Sequence, residues 1–286
     1  MAYSIKKAVI PCAGLGTRFL PVTRSVPKVL LPVVDRPLIH FAVEEAAQAG
    51  IDQIALVVSP GMDSVAGYFG SQPVLENALE AKGDEERLAQ QREIAGMADV
   101  ETIVQHEPKG LGHAVLMAKD FVGDEPFAVF LPDDLIWADP PAISQLIRIA
   151  EKHGGSVLAG KHVPQEAIPN LGIIDAEHTG GREWSVKGLV EKPPLEEAPT
   201  DLAIIGRYVL SPSVFRHIES GAPGALGEIQ LTDAIAATMP AEPVHACAFE
   251  GDHIDAGTPR GMLQATLYEA SRRPDLAPEL DQFRKG

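Results

Sequence analysis

Residues 7–18 read KAVIPCAGLGTR and decide the fold, because they join an apolar strand to a glycine-containing turn. Gly14 and Gly16 leave backbone N–H groups exposed, so that a chain of phosphates can approach closely. Phe19 stands where the third glycine of a dinucleotide-binding loop would fall, and the Gly-Lys-Ser/Thr of a Walker loop does not follow. We therefore expect a phosphate-binding loop of another type. A turn whose glycines serve only the exit from the strand is the alternative.

Around this strand, short apolar runs alternate with longer segments of helical period. The apolar runs are at residues 7–11, 54–58, 101–105 and 127–131, and the segments of helical period are at 38–50 and 111–121. This alternation predicts an α/β fold with three layers, α/β/α, around a mixed, mainly parallel central sheet. A charged segment at 76–97, interrupted by Gly83, predicts an exposed helical excursion between two strands.

The second half of the chain is richer in strand patterns. Apolar runs separated by Gly, Pro and polar residues are at 156–162, 172–176, 184–192 and 202–210, and helical segments return at 213–219, 228–238 and 260–271. We expect a β-rich elaboration of the same unit rather than an independent domain. Residues 1–275 are thus predicted to form a single domain, followed by a loosely attached C-terminal tail at 276–286.

The composition excludes several classes of protein. The chain has 24 Lys and Arg against 40 Asp and Glu, a net charge of −16, which disfavours nucleic acid as a partner. Its two cysteines can build neither a disulfide framework nor a four-ligand zinc site. The apolar stretch at 8–11 is too short for a signal peptide, and no run approaches the roughly 18 apolar residues of a membrane helix. We expect a cytoplasmic protein with no membrane partner.

The residues after the glycine turn carry a resemblance to a known family. Arg18 is followed by Pro21, Lys28 and Pro32, and two cations on a proline-stiffened loop can hold a triphosphate. The pattern Gly-x-Gly-Thr-Arg…Pro…Lys…Pro resembles the signature of the sugar-phosphate nucleotidyltransferases, which make nucleotide-sugars from a nucleoside triphosphate and a sugar 1-phosphate. The resemblance implies a nucleotide-binding fold, with the nucleotide part at about 5–155 and the sugar part at about 156–260. It also implies nucleotide contacts at Ala13, Gly14, Gly16 and Thr17.

Two acidic sites follow apolar stretches. Asp133 and Asp134 come directly after the run at 127–131, and Asp255 lies in Ile-Asp-Ala-Gly-Thr at 254–258. Carboxylates at the ends of strands suit Mg²⁺, which takes a few carboxylates together with phosphate oxygens. A solvated turn or helix cap would also explain an Asp pair. In the resembled family the Asp residues at these two places hold the metal, which implies Mg²⁺ on Asp133 and Asp255, with Asp134 in a supporting position.

Further segments resemble the family's base and sugar sites. Residues 105–115 read QHEPKGLGHAV, which implies recognition of the base by Gln105 and Gly110; a glycine turn before a helix is the alternative. The Glu-Lys-Pro beginning at Glu191 implies that Glu191 binds sugar hydroxyls and that Lys192 binds the sugar phosphate, whereas a surface ion pair would need no ligand. Gly172 resembles the glycine that lets the hexose approach the backbone.

The resemblance is strongest to the bacterial uridylyltransferases of this family and implies UTP and glucose 1-phosphate as substrates. An oxygen of the sugar phosphate would attack the α-phosphorus of UTP and displace pyrophosphate, with no general base because the sugar phosphate is already mostly dianionic. Catalytic roles fall to Arg18, Lys28, Asp133 and Lys192. By resemblance alone, we expect a homo-oligomer, either a dimer or a tetramer.

Several flanking residues depart from the family pattern. Val29 follows the loop lysine where Glu is common, Met62 lies in a segment that commonly carries a basic residue, and His253 stands where Arg with an aromatic residue is frequent. These departures leave open dTTP or another sugar 1-phosphate as a substrate. A catalytically silent nucleotide-sugar sensor is a more remote alternative, since it should have lost Lys28, Asp133, Lys192 or Asp255.

Overall fold

The computed structural model describes residues 4–221 and 227–285. Short apolar segments form strands, and longer segments with one apolar face form helices. The strands, in chain order, are β1 (Lys7–Pro11), β2 (Pro32–Val33), β3 (Arg36–Pro37), β4 (Gln53–Val58), β5 (Asp99–Val104), β6 (Phe127–Phe130), β7 (Asp134–Trp137), β8 (Ser156–His162), β9 (Gly172–Gly180), β10 (Glu183–Glu191), β11 (Leu202–Leu210), β12 (Val244–Ala248) and β13 (Asp252–Asp255). The helices are α1 (Leu38–Gln48), α2 (Asp63–Gly67), α3 (Pro73–Lys82), α4 (Glu85–Ala95), α5 (Leu111–Met117), α6 (Lys119–Val122), α7 (Ala142–His153), α8 (Val214–Ser220), α9 (Leu231–Thr238), α10 (Pro259–Arg272) and α11 (Ala277–Lys285).

A mixed sheet of nine strands forms the centre of the described structure, in the order β5-β4-β1-β6-β11-β8-β12-β10-β9. Strands β5, β4, β1 and β6 are parallel to one another, with Val9 of β1 opposite Ala55 of β4 and Val129 of β6. In the other half, only β8 and β12 pair in parallel. Strand β11 is antiparallel to β6, β8 and β9, and its pairing with β9 through Ala203 and Ile173 closes the five strands β11, β8, β12, β10 and β9 on themselves.

The fold is therefore mixed α/β, as predicted, but the expectation of a mainly parallel sheet holds only for the half that carries β1. The reason lies in the connections. A tight turn at residues 181–182 rather than a crossover helix joins β9 to β10, and so short a connection places the two strands antiparallel. The β-rich half of the sequence thus closes on itself instead of extending a parallel sheet.

The core lies on both faces of the sheet. Ala8 and Ile10 of β1 face one apolar cluster, which includes residues of α1 and α7, and Val9 faces a second cluster with residues of α5, α8 and α9. Strand β6 is buried over its whole length. Continuous apolar strands of this kind are expected where helices cover both faces. The strand ends that carry the polar site are therefore held by a rigid core.

The bounds of several elements match the sequence prediction, and others do not. Strands β1, β8 and β11 have the predicted bounds, and α3 and α4 lie on either side of Gly83 as expected. The helix expected over 111–121 is divided into α5 and α6. Helix α7 and strand β12 were not predicted. The tail expected to be loosely attached contains α11, and Arg273 just before it binds Asp35 and Asp275.

Among the described residues, no helix combines the length and the apolar character needed to cross a membrane.

Candidate active site

The loop after β1 is fixed by hydrogen bonds to its neighbours. The backbone N–H of Cys12 donates to the carbonyl of Val57 (2.7 Å), and Ser59 Oγ donates to the carbonyl of Ala13 (2.8 Å). Thr23 Oγ1 donates to the carbonyl of Gly16 (2.9 Å). Gly16 has φ +62°, and a Cβ there would lie 3.0 Å from side-chain atoms of Lys28 and Thr23. The turn itself therefore requires glycine at position 16.

Gly14 differs from Gly16. It is exposed, and a Cβ at this position would meet nothing within 4 Å in the described part of the chain. A glycine that the protein's own packing does not need is better explained by a ligand that approaches the backbone closely. This observation favours the phosphate-binding interpretation of the loop over a purely structural turn.

A cleft of about 460 Å³ opens beside this loop, a size suited to a small molecule. Its walls come from the loop, from the segment of Lys28, from the N-terminal end of α5 and from the end of β6. The lining residues are Pro11, Cys12, Ala13, Gly14, Leu15, Gly16, Thr17, Lys28, Val29, Gln105, Pro108, Gly110, Leu111, Ala114, Leu131, Pro132, Asp133 and Glu228. The four loop residues predicted to contact a nucleotide thus share one cleft with Lys28, Gln105, Gly110 and Asp133.

Asp133 and Asp255 converge on one point although they are 122 positions apart in the sequence. Strand β13 pairs with β7 so that Asp255 lies opposite Asp134. A Cβ at Gly257 would lie 2.7 Å from Oδ1 of Asp255 and 2.8 Å from Oδ2 of Asp133, so the glycine leaves the space between the carboxylates free. Lys28 Nζ is 2.6 Å from Oδ2 of Asp133.

The electrostatics of this point suit a cation. Burial, and then the negative charges of Asp134 and Asp133, raise the pKa of Asp255 above its usual value. A divalent cation would offset this repulsion. In residues 4–221 and 227–285, no group of three or more His, Cys, Asp or Glu residues could hold a metal ion. Two carboxylates nevertheless fit Mg²⁺, which commonly takes its other ligands from substrate phosphates and water.

Asp134 is not among the residues that line the cleft and is bound to other parts of the structure. Its Oδ1 is 2.6 Å from Nε2 of His253, and its Oδ2 accepts from the backbone N–H of Gly206 (3.1 Å). Burial would raise the pKa of Asp134, but the hydrogen bond with His253 and the charges of His253 and Arg207 lower it below its usual value. His253, one of the departures from the family pattern, therefore has a structural partner in Asp134.

A buried arginine that was not among the predicted site residues holds the segment of Asp133. Arg207 is 1% exposed and donates through Nη1 to the carbonyl of Leu131 (3.0 Å) and through Nη2 to the carbonyl of Asp134 (2.9 Å). Its charge is balanced by Glu45 Oε2 at 2.8 Å, and Glu45 Oε1 accepts from the backbone N–H of Ile143. A charged residue in a long apolar strand pattern was the only available sequence signal.

Gln105 lies at the base of the cleft. It is 4% exposed, its backbone N–H donates to Val58, and its side-chain Nε2 is 2.8 Å from Nδ1 of His113. Gly110 has φ +100°, and a Cβ there would lie 2.8 Å from Cβ of Glu228. Packing at the start of α5 thus accounts for this glycine, while its position in the cleft wall leaves the predicted backbone contact with a base available.

The predicted sugar-site residues form a separate group. Glu191 Oε2 accepts from Thr232 Oγ1 (2.6 Å), and a Cβ at Gly172 would lie 3.1 Å from the same carboxylate oxygen. Lys192 has φ +49°, and its Nζ is 3.3 Å from Glu191 Oε1. Burial and the charge of Glu191 raise the pKa of Asp233 above its usual value. Thr232 also belongs to this group, although it was not among the predicted site residues. Its position in the segment Gln-Leu-Thr-Asp at 230–233 was the sequence signal that could have indicated it.

Some predicted residues lie outside the lining of the cleft. Arg18 is on the loop but exposed, and it is not among the described residues that form the walls. Asp255 does not line the cleft itself, but its carboxylate lies near that of Asp133, which does. Gly172, Glu191 and Lys192 do not line the cleft either. The roles of these residues therefore stay predictions.

The cleft combines a glycine loop, a lysine and paired carboxylates at strand ends, an arrangement suited to binding phosphates. A comparison of the sequence with protein families identifies its class. Residues 7–272 match the nucleotidyl transferase family, and the chain belongs to it. The chain is 45% identical over 282 residues to the UTP–glucose-1-phosphate uridylyltransferase of Bacillus subtilis (strain 168), covering 99% of this chain and 97% of that protein. It is 43% identical over 281 residues to the enzyme of the same name from Staphylococcus haemolyticus (strain JCSC1435), covering 98% of each.

The chain is also similar to solved structures, in fold as well as in sequence. A UDP-glucose pyrophosphorylase complexed with UDP-glucose is similar with a TM-score of 0.86 and 38% identity, covering 94% of this chain and 100% of the other. A UTP-bound UGPase from Acinetobacter baumannii is similar with a TM-score of 0.90 and 38% identity, covering 98% of each chain. Fold and sequence therefore agree over nearly the whole length of the chain.

Proposed function

We propose that this protein transfers the uridylyl group of UTP to glucose 1-phosphate, giving UDP-glucose and pyrophosphate. The observation that carries the proposal is the full-length similarity to UTP–glucose-1-phosphate uridylyltransferases, at 45% identity for the Bacillus subtilis enzyme. It is supported by the cleft, in which the glycine loop, Lys28, Gln105 and Asp133 lie together. Within a single nucleotidyltransferase domain at 1–275, the nucleotide-binding part would comprise about residues 5–155, and the sugar-binding part about 156–260.

UTP would occupy the cleft of about 460 Å³ with its base at Gln105 and its phosphates at the loop. Gln105 supplies amide groups, and Gly110 supplies backbone groups, to the edge of uracil. The phosphates would meet the backbone of Ala13, Gly14, Gly16 and Thr17, since Gly14 leaves open space there. Val29, one of the departures from the family pattern, also lines this cleft.

Mg²⁺ would be held by Asp133 and Asp255, whose carboxylates converge at Gly257. When bound, the ion supplies positive charge that offsets the negative charge of the phosphates. Lys28 contacts the same carboxylate of Asp133 in the free protein, which supports a place for its ammonium group beside the phosphates of bound UTP.

The reaction itself needs little beyond positioning and charge. An oxygen of the sugar phosphate forms a bond to the α-phosphorus of UTP, and the bond from that phosphorus to the bridging oxygen of pyrophosphate breaks in line with it. The nucleophile is mostly dianionic at neutral pH, so no base has to remove a proton. Lys192 would orient the nucleophile, and Lys28 together with Arg18 would stabilise the charge that develops on pyrophosphate.

The sugar would bind beside Gly172, with its hydroxyl groups at Glu191. Thr232 fixes one oxygen of that carboxylate at 2.6 Å, which leaves the other oxygen to interact with Lys192 and a ligand. A side chain at position 172 would lie against the carboxylate, so the glycine keeps the approach open. This arrangement supports an uncharged, hydroxyl-rich substrate group next to the phosphate bound by Lys192.

We also propose that the protein forms a homo-oligomer. Leu263 and Leu267 of α10 and Phe283 of α11 are exposed apolar side chains, which a second copy of the chain would cover. Light scattering across a range of protein concentrations measures this directly, and a monomer at all concentrations would contradict it.

The test of the activity is pyrophosphate release from glucose 1-phosphate with UTP, dTTP, CTP, GTP and ATP in parallel, with Mg²⁺ and with a chelator. We expect UTP to give the highest kcat/KM and the chelator to stop the reaction. A preference for dTTP would move the protein to another specificity within the family. A panel of other sugar 1-phosphates with UTP tests the sugar in the same way, and failure with all pairs would contradict the proposed reaction.

A further inference from the structure

The buried amide of Gln105 has a fixed partner. Its Nε2 lies 2.8 Å from Nδ1 of His113, which is half-buried on the first turn of α5. The helix is held in place because the backbone N–H of Gly112 donates to the carbonyl of Ile229 (2.9 Å). The backbone of Gln105 is held as well, since its N–H donates to the carbonyl of Val58 (2.8 Å). Both ends of this side-chain hydrogen bond are therefore anchored.

With the amide placed as it is in the structure, this hydrogen bond runs from Gln105 to His113. An amide nitrogen donates and does not accept, so Nδ1 of His113 must be unprotonated and must accept. Burial, and then the positive charge of Lys109, lower the pKa of His113, while Glu107 acts in the opposite direction. A neutral imidazole with its proton on Nε2 is the form that fits the contact.

We propose that His113 is a positioning residue which fixes the orientation of the Gln105 amide and thereby makes the site select uracil over cytosine. The amide N–H that faces His113 is occupied, which leaves Oε1 as the acceptor available to a base in the cleft. While the imidazole proton is on Nε2, a turned amide would set Oε1 against the lone pair of Nδ1, and the two acceptors would repel each other, so the orientation of the amide and the tautomer of His113 are linked. This inference rests on the proposed function, because it concerns the base of the nucleotide bound there.

The two pyrimidines differ at the atom that such an acceptor would meet. Uracil carries a hydrogen on N3 and can donate it to Oε1, whereas N3 of cytosine is itself an acceptor. A freely turning glutamine could serve both bases, since its N–H would face N3 of cytosine and its oxygen would face the exocyclic amine. A glutamine held in one orientation favours uracil, and equally thymine, because those two bases share the same hydrogen-bonding edge.

The experiment measures kcat/KM for UTP, dTTP and CTP in the wild-type enzyme and in His113→Leu, His113→Asn and His217→Leu. The leucine variant removes the acceptor, and we expect the UTP:CTP ratio of kcat/KM to fall about tenfold, mainly through KM, while the UTP:dTTP ratio is unchanged. Asn can present a side-chain oxygen in place of Nδ1 and should restore the ratio. His217, half-buried on α8, serves as the matched control.

The outcomes separate this inference from the proposed function. If wild-type enzyme uses neither UTP nor dTTP, the proposed function fails and this inference fails with it. If the wild type uses UTP but His113→Leu keeps the UTP:CTP ratio, or loses UTP and CTP activity in equal proportion, only the role of His113 is overturned. Should the leucine variant not fold, as judged by thermal melting, His113→Ala removes the same acceptor without added bulk and carries the same expectation.

Discussion

Gly14 and Gly16 stand two residues apart in one loop, yet the surrounding structure constrains them differently. Gly16 has a left-handed backbone with atoms of Lys28 and Thr23 beside it, whereas Gly14 faces open space in the described chain. We expect Gly16→Ala to lower the free energy of unfolding by about 1 kcal/mol or more. Gly14→Ala should leave it nearly unchanged and should instead weaken the binding of UTP with Mg²⁺.

Thermal melting and titration calorimetry with UTP, applied to both glycine variants, separate a structural glycine from one that serves a ligand. Equal affinity for UTP in Gly14→Ala and the wild type would return the loop to the structural interpretation. Each variant acts as the control for the other, because they change the same residue type in the same turn.

Lys28 is the cation that the structure places in the cleft beside a carboxylate, with its Nζ 2.6 Å from Asp133. Lys28→Met should lower kcat about 100-fold, because a fixed positive charge next to a departing pyrophosphate is lost. The free energy of unfolding should change by less than about 1 kcal/mol, since the ion pair is partly exposed. Lys187→Met, at an exposed ion pair with Glu177, is the control. A kcat within threefold of the wild type would remove Lys28 from the reaction.

At the scale of elements, the charged pair of Arg207 on β11 and Glu45 on α1 connects the sheet to the segment that carries Asp133. Arg207→Met would leave Glu45 as an uncompensated buried charge, and we expect a loss of about 3–5 kcal/mol in the free energy of unfolding. The double variant with Glu45→Gln should recover part of this loss, because Gln still accepts from Ile143 without a charge. Chemical denaturation measures both, and a loss below 1 kcal/mol in the single variant would contradict the role.

The elements that the sequence predicted are those with a local signal. Strands β1 and β11 are predominantly apolar, and Gly83 marks the boundary of α3 and α4. Helix α7 had a signal that was missed, since Ile143, Leu146 and Ile149 follow one another at helical spacing. Strand β12, Val-His-Ala-Cys-Ala, has a weak strand pattern, and its pairing with β8 and β10 rather than its composition makes it a strand.

The candidate site, too, contains residues with a local sequence signal and residues without one. The glycine loop, Lys28, Asp133 and Gln105 lie in local motifs, so the sequence predicted that they belong to one site. The pairing of Arg207 with Glu45 joins residues 162 positions apart, and the register that sets Asp255 opposite Asp134 joins residues 121 positions apart. Such contacts depend on the assembled sheet, and a single sequence carries no local pattern for them.

At the scale of the whole molecule, a chain with a net charge of −16 has to bind polyanionic substrates. The carboxylates at the proposed metal site add to this repulsion instead of relieving it, since the pKa of Asp255 is raised by burial first and then by the charges of Asp134 and Asp133. The free protein therefore retains an unfavourable concentration of negative charge at the position where a cation would bind. Stability and function should oppose each other at this site.

The last prediction tests that opposition through the pH dependence of stability. Because the pKa of Asp255 is higher in the folded state than its ordinary value of 3.8, the folded protein is destabilised once the carboxylate is charged. This destabilisation is absent below pH 3.8, grows as the pH rises through the folded pKa, and is constant above it. Asp255→Asn should therefore raise the melting temperature of the metal-free protein at pH 7.5, and the difference from the wild type should shrink as the pH is lowered towards 4.

The same variant should lose the stabilisation that Mg²⁺ with UTP confers on the wild type, because one of the two proposed ligands is gone. Asp52→Asn, at an exposed position, should change neither measurement. Melting curves with and without Mg²⁺ and UTP at several pH values provide the comparison. If the Asp255→Asn protein melts below the wild type in the absence of metal, Asp255 stabilises the fold. If the variant keeps its response to Mg²⁺ and UTP, Asp255 does not hold the ion.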